Sequence, residues 1–237
     1  NNRKTNNIMQ KRVIVLSLGG SLIVTEEIDT KFLEEFKKII RKHEKNYKFV
    51  IVCGGGSIAR KYIHALKVEG KSEFLQNLIG IAITKLNARF ITYLFGKDAN
   101  EGIPHDMKHV KNLLKKNNIV FCGALRYASK ETSDSTAAKI ANFFKTDFLN
   151  LTNVNGLYDK DPNKHKDVKL IKKISWKNFY NLANRIKYSP GQHFILDQHA
   201  AKIILNKKIK TYIIGKNLKN LDNLLSGKKL IGTIIEG

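Results

Sequence analysis

Apolar segments of two kinds alternate along most of the chain. Short, continuously apolar runs predict buried strands over residues 12–18, 48–53, 119–122, 148–151, 210–215 and 230–235. Longer segments between them carry apolar residues at helical spacing and predict helices over 32–43, 58–67, 74–95, 108–116, 134–145, 174–184 and 196–207. Strands that alternate with helices indicate an α/β fold, a three-layer αβα sandwich with a mainly parallel central sheet.

Neither an internal repeat nor a long linker divides the 237 residues, so we predict a single domain over residues 12–237. Residues 1–11 are polar, which is not the pattern of a secretory signal and predicts a disordered or tag-like arm. No run reaches the roughly 18 apolar residues of a membrane span. Cys53 and Cys122 each end an apolar run, where a buried free thiol is expected, and this cysteine usage fits a cytoplasmic protein.

The formal charge of +23 is the strongest feature of the composition. A basic protein of this kind could bind a polyanion such as nucleic acid. The excess comes mainly from lysines spread over the whole length, however, and this pattern favours a solvated lysine surface. This pattern therefore favours anionic small substrates such as nucleotides over nucleic acid as the partner.

Two glycine-rich loops follow the first two predicted strands. Gly19 and Gly20 precede Ser21, and the 54–56 triplet opens a helix that carries Arg60 one turn later. Backbone N–H groups in such loops can approach a phosphate because no Cβ stands in the way. A tight turn is the alternative for either loop alone. Two such loops on separate strands of one sheet favour a polyphosphate and an acceptor, bound beyond the carboxyl ends of the strands.

Two further loops carry polar side chains at the same predicted edge. In the first, Thr132 or Ser133 fits as a helix N-cap, and Asp134 could orient cationic groups around a transferring phosphoryl. The second spans residues 152–162 and is rich in Thr, Asn, Tyr and Asp. Its Asn-Gly pair is typical of a hairpin, but a plain hairpin does not need this density of polar groups.

The second of these loops, TNVNGLYDKDP, resembles the nucleotide-binding signature of the amino acid kinase superfamily. Within that superfamily the chain resembles the uridylate kinases, especially their archaeal-type branch, in order and over nearly its whole length. The resemblance rests on segments 54–60, 78–88, 132–138, 189–203 and 232–235. It implies an amino acid kinase-like fold, transfer of the γ-phosphoryl of ATP to UMP, Mg²⁺ accompanying ATP, and a homo-oligomer, either a hexamer or a dimer.

The resemblance also implies roles for individual residues. It assigns the catalytic centre to Asp134, Arg60 and Ser17, with no metal-ligating side chain. The implied ATP-binding residues are Gly19, Gly20, Ser21, Gly56, Arg60, Thr152, Asn153, Tyr158 and Asp161. The implied UMP-binding residues are Gly55, Asn77, Thr132 and Ser133.

The chain departs from the family pattern at several points, among them Gln198, where Pro is common. The family usually has Lys two residues before the glycine pair, where this chain has Ser17, and it has Asp where this chain has Asn77. The loop over residues 124–131 is longer than usual, and Arg126 or Lys130 within it could supply the missing positive charge. Alternative functions therefore stay open: a nucleotide-binding sensor with impaired catalysis, another phosphotransferase of the superfamily, or a nucleic-acid binder.

Overall fold

The computed structural model describes residues 11–127, 131–159, 167–185 and 196–237. The predicted arm, apart from its last residue, and the candidate residues Lys130 and Asp161 lie outside these ranges. Within these ranges, seven strands form one sheet in the order β3-β2-β1-β4-β6-β7-β5. They are β1 Arg12–Leu18, β2 Tyr47–Cys53, β3 Ile119–Cys122, β4 Phe148–Leu151, β5 Lys173–Ile174, β6 Thr211–Ile214 and β7 Thr233–Ile235. All neighbouring pairs are parallel except β6 and β7.

Helices connect the strands and cover both faces of the sheet. They are α1 Gly20–Ile23, α2 Thr30–His43, α3 Gly56–Val68, α4 Glu73–Phe95, α5 Met107–Lys116, α6 Ser133–Phe144, α7 Trp176–Arg185, α8 Gln198–Lys207 and α9 Leu218–Leu225. A short 3₁₀ turn, Gly96–Asp98, follows α4.

The sheet separates two hydrophobic cores. Side chains alternate along β1, so Leu16 packs with α2, α4 and α9 on one face, whereas Val15 packs with α5, α6, α7 and α8 on the other. The three-layer αβα sandwich predicted from the alternating pattern is confirmed. Cys53 lies in the first core and Cys122 in the second, both as free thiols. Burial raises the pKa of both thiols, that of Cys122 to about 12.

Three elements were not predicted. β5 has two residues, α1 has four, and α9 has eight, so each is too short for a convincing periodic signal. The last strand begins at Thr233 instead of residue 230. Gly232, just before it, passes close to β6: a Cβ there would lie 2.4 Å from the carbonyl oxygen of Ile213.

The long helix α4 is apolar around much of its circumference. Together with the turn after it, α4 is long and apolar enough to cross a membrane by length and composition alone, with a mean hydropathy of 1.3, and 44% of that window is buried in the protein. The helix packs against α3, β2 and β3. The buried side supplies Ile91 and Phe95 to the first core, which is the packing of a core helix.

Candidate active site

The carboxyl ends of the three central strands place the polar loops side by side. Leu18 at the end of β1 pairs with Cys53 of β2 and with Leu151 of β4. The chain then enters the first glycine pair after β1, the 54–56 triplet after β2 and Thr152 after β4. Three of the four predicted loops therefore begin at neighbouring points on one edge of the sheet.

The two glycine-rich loops touch each other through their backbones. A Cβ on Gly20 would lie 2.0 Å from the backbone nitrogen of Gly56, and a Cβ on Gly54 would lie 2.6 Å from the nitrogen of Gly20. Gly56 also has a φ of +64°, which favours glycine. The glycines are thus required for the contact between the loops. This contact brings the first backbone N–H groups of α1 and α3 into one small region.

Polar side chains of α4 form hydrogen bonds with the backbone of the loops that follow β2 and β3. Asn87 donates a hydrogen bond of 2.7 Å to the carbonyl of Gly54, and the hydroxyl of Thr84 accepts one of 3.0 Å from the backbone of Ala124. Both side chains are buried. The sequence pattern predicts no role for either residue, although an amide in an apolar helix is a usable signal. Asn77 lies two turns before Thr84, on the same side of α4, and is half-buried.

Ser17 faces the start of α6. It follows Val13 and Val15 on the side of β1 that packs against α6, and it is 1% exposed. Its hydroxyl donates a hydrogen bond of 2.7 Å to Oδ1 of Asp134. A small polar residue near the end of the apolar strand is explained by this contact with the helix above it.

Two hydroxyl groups at the start of α6 cap the helix by accepting hydrogen bonds from its first backbone N–H groups. Thr132 is the N-cap, and its Oγ1 accepts from the backbone N–H of Ser135 at 3.0 Å, while the Ser135 hydroxyl accepts from the backbone N–H of Thr132. This capping box decides between the two predicted caps in favour of Thr132, and Ser133 becomes the first helical residue.

Asp134 lies in an environment that opposes its charge. Burial, and to a smaller extent repulsion from Asp197, raise the pKa of its carboxyl to about 7, although the hydrogen bond from Ser17 acts in the opposite direction. Asp197, the N-cap of α8, also accepts a hydrogen bond from the hydroxyl of Thr132. Sequence reasoning assigned no role to Asp197, because only the fold brings α8 next to α6.

The loop after β4 is attached to the C-terminal strand. The backbone N–H of Leu157 donates a 2.8 Å hydrogen bond to the hydroxyl of Thr233, which donates in turn to the carbonyl of Ile171. Thr152 donates its backbone N–H to Ile214. Asn153 is exposed, and Tyr158 is half-buried, forming an antiparallel bridge with Leu170. Both partners of this bridge follow the Asn155-Gly156 pair in the sequence, so the bridge is not that of a hairpin turn at the pair.

The structure places the candidate cations in different surroundings. Arg60 lies exposed on α3, in the second turn after Gly56. Arg126 is exposed and pairs with Asp106 at 3.0 Å, at the start of α5. Ser21 is half-buried on α1. Of the two arginines, Arg60 is the one on a helix that begins at the contact between the glycine-rich loops.

Metal-binding side chains do not cluster in the described part of the chain: no group of three or more His, Cys, Asp or Glu residues there could hold an ion. A cavity of about 980 Å³ lies at the C-terminal end of α4, and none of the predicted site residues lines it.

Comparison with known proteins agrees with this arrangement. Residues 12–215 match the Amino acid kinase family, and the chain belongs to that family. It is 36% identical to the uridylate kinase of Thermoplasma volcanium over 224 residues, which cover 94% of this chain and 97% of the relative. It is 33% identical to the uridylate kinase of Thermococcus sibiricus over 225 residues, 94% of this chain and 99% of the relative.

The fold agrees as well. The crystal structure of uridylate kinase from Archaeoglobus fulgidus matches with a TM-score of 0.81 and 34% sequence identity, covering 94% of this chain and 99% of the other. The resemblance first indicated by the TNVNGLYDKDP loop and the glycine motifs is thereby confirmed. The assignment of individual residues to ATP or UMP stays a prediction.

Proposed function

We propose that this chain is a nucleoside monophosphate kinase that transfers the γ-phosphoryl group of ATP to UMP, giving UDP. The observation that carries the proposal is the contact of the two glycine-rich loops at one edge of the sheet. The first of these loops directly follows β1, the strand from which Ser17 donates its hydrogen bond to Asp134. Similarity to the uridylate kinases named above over nearly the whole chain supports the choice of UMP.

ATP is proposed to bind across the ends of β1 and β4. Backbone N–H groups of Gly20, Ser21 and Gly56 would receive its phosphates, together with Arg60. Gly19, whose own N–H donates to the carbonyl of Leu151 at 2.9 Å, would contribute by leaving room for the phosphates. The adenosine would lie over the loop after β4, against Thr152, Asn153 and Tyr158, with Asp161 beyond the described residues. Support comes from the attachment of this loop to β6 and β7, which gives a nucleoside a fixed surface.

UMP is proposed to bind on the other side of the glycine contact. Gly55, Thr132 and Ser133 would face its phosphate, and Asn77 on α4 would accept a hydrogen bond from its ribose. The two phosphates would then meet above Ser17 and Asp134. Phosphoryl transfer needs the attacking and leaving oxygens in line and the charge between them stabilised, with little covalent chemistry from the protein.

The chain has no lysine at position 17, so the positive charge must come from elsewhere. In this proposal Arg60 supplies part of it, and Mg²⁺ bound to ATP neutralises charge that develops on the transferred phosphoryl group. Arg126 is a weaker candidate than the sequence suggested, because its guanidinium already pairs with Asp106. Asp134 would organise these groups and Ser17 would hold the carboxylate in place.

We also propose a cytoplasmic homo-oligomer. Along α4, Leu78, Leu86 and Tyr93 lie on one side of the helix and are 38%, 59% and 71% exposed. Tyr62 and Val68 on the neighbouring α3 are exposed too. An apolar surface of this extent is typical of a face that contacts another protein, and a second copy of this chain is the partner that we propose for it.

A coupled assay with ATP, Mg²⁺ and a panel of nucleoside monophosphates tests the proposed reaction. We expect turnover with UMP, weaker turnover with CMP, and loss of at least about 10²-fold in kcat for Asp134→Asn, since this variant removes a charge at the centre of the transfer site. Turnover of a different acceptor without turnover of UMP would contradict the proposal. Binding of ATP and UMP without any turnover would favour the sensor.

A further inference from the structure

Asp197 contacts the N-termini of two helices at once. Its Oδ1 accepts hydrogen bonds from the backbone N–H groups of His199 at 2.8 Å and Ala200 at 2.9 Å, which makes it the N-cap of α8. Its Oδ2 accepts a hydrogen bond from the hydroxyl of Thr132, the N-cap of α6. One carboxylate therefore joins the first turns of α6 and α8.

This connection continues to the centre of the site. The Thr132 hydroxyl donates to Asp197 and accepts from the backbone of Ser135, so its position is defined from both sides. Asp134 follows two residues after Thr132, and its Oδ1 accepts from Ser17 on β1. A shift of the first turn of α6 relative to α8 would break this sequence of contacts.

Asp197 also acts on Asp134 through its charge. α6 packs against α8, β1, β2 and β4. Among the described residues, Asp197 from α8 is the charged group that raises the pKa of Asp134, in addition to burial, while β1 contributes the uncharged hydroxyl of Ser17. The two carboxylates are therefore coupled, and removing one charge must alter the titration of the other.

We propose that Asp197 is a positioning residue for phosphoryl transfer: through the Thr132 hydroxyl it holds Ser133 and Asp134 in place opposite Ser17. The inference rests on the proposed kinase function. A hydrogen bond to a charged carboxylate is about twice as strong as one between neutral groups. The negative charge at position 197 therefore strengthens the contact with α6, in addition to the cap that it forms on α8.

Asp197→Asn separates these two tasks, because asparagine is as good an N-cap as aspartate. We expect kcat to fall roughly 10- to 100-fold, the usual effect of a small displacement in a positioned site, with little change in KM for ATP. The acid limb of the kcat profile should also move to lower pH, since Asp134 loses a repelling neighbour. Asp29→Asn is the matched control: Asp29 caps α2 in the same way, by accepting from Phe32 at 3.0 Å.

A purely structural cap gives different results. In that case Asp197→Asn behaves like the wild type in kcat and in pH profile, and only Asp197→Ala loses stability; this outcome overturns the proposal. A double variant, Thr132→Val with Asp197→Asn, gives a second test. Because the two residues act through one contact, the fall in kcat of the double variant should be smaller than the product of the falls in the two single variants. A wild-type enzyme that turns over no monophosphate contradicts the proposed function instead.

The ligand-free protein offers a readout that needs no activity. The melting temperature of the wild type, measured against pH, should show the titration of Asp134, and Asp197→Asn should shift this titration to lower pH. An unshifted titration in a variant that folds normally counts against the coupling of the two carboxylates.

Discussion

Asp134 is the residue whose ionisation links stability to the proposed chemistry. Its pKa in the folded chain is about 7, well above its ordinary value, mainly because of burial. A group with a raised pKa takes up a proton on folding, so its contribution to stability is present at low pH and is lost as the pH rises through about 7. The carboxylate to which we assign a role in the proposed reaction is therefore destabilising in the free protein.

Asp134→Asn tests this relation through stability. The amide oxygen can still accept from Ser17, but no charge is buried at high pH. We expect the variant to melt higher than the wild type at pH 8, by about 2–4 °C for each kcal/mol gained in a chain of this size, and to melt at a similar temperature at pH 4. Calorimetry at the two pH values measures this. Equal differences at both pH values would show that the charge of Asp134 is not responsible.

At the scale of elements, the contact between the glycine-rich loops is the most constrained feature of the site. Gly20→Ala would place a methyl group 2.0 Å from the backbone nitrogen of Gly56, and no flexible side chain can move aside. We expect a loss of about 1–3 kcal/mol of stability, as for overpacking, with a fall in activity because the loops separate.

Gly80→Ala is the control for that substitution. Its methyl group would meet the end of the Ile63 side chain at 3.2 Å, and alanine is the better helix former. Thermal unfolding and the UMP assay compare the two variants. A Gly20→Ala protein as stable and active as Gly80→Ala would mean that the loops need not touch.

The elements themselves could be read largely from the sequence. The strand over residues 12–18 and the helix over 32–43 were predicted nearly at their observed bounds, since burial on both faces and helical spacing leave clear patterns. For the candidate site, motif order and the family resemblance pointed to Ser17, Asp134 and the glycines, whose roles stay predictions. The contact of Ser17 with Asp134 could not be predicted, because 117 residues separate them and only the packing of α6 on β1 brings them together.

At the scale of the whole molecule, α4 has two apolar sides. One side enters the first core, and the other remains exposed at Leu86 and Tyr93. We expect Leu86→Glu to reduce the mass of the oligomer measured by light scattering, since a buried unpaired charge is costly in an interface. Ile231→Glu is a matched control, because Ile231 is 58% exposed against 59% for Leu86 and lies outside α4. A mass unchanged in Leu86→Glu would contradict an interface on this side.

The position of β1 in the middle of the sheet has a consequence for the order in which the chain folds. β1 pairs with β2, which follows it closely, and with β4, where Leu18 meets Leu151. During synthesis one edge of β1 stays unpaired until most of the chain has left the ribosome. The Ser17–Asp134 contact must form at a similarly late stage. The nucleotide-binding edge is therefore among the last parts to mature, and newly made N-terminal segments expose a strand edge that can pair with other chains.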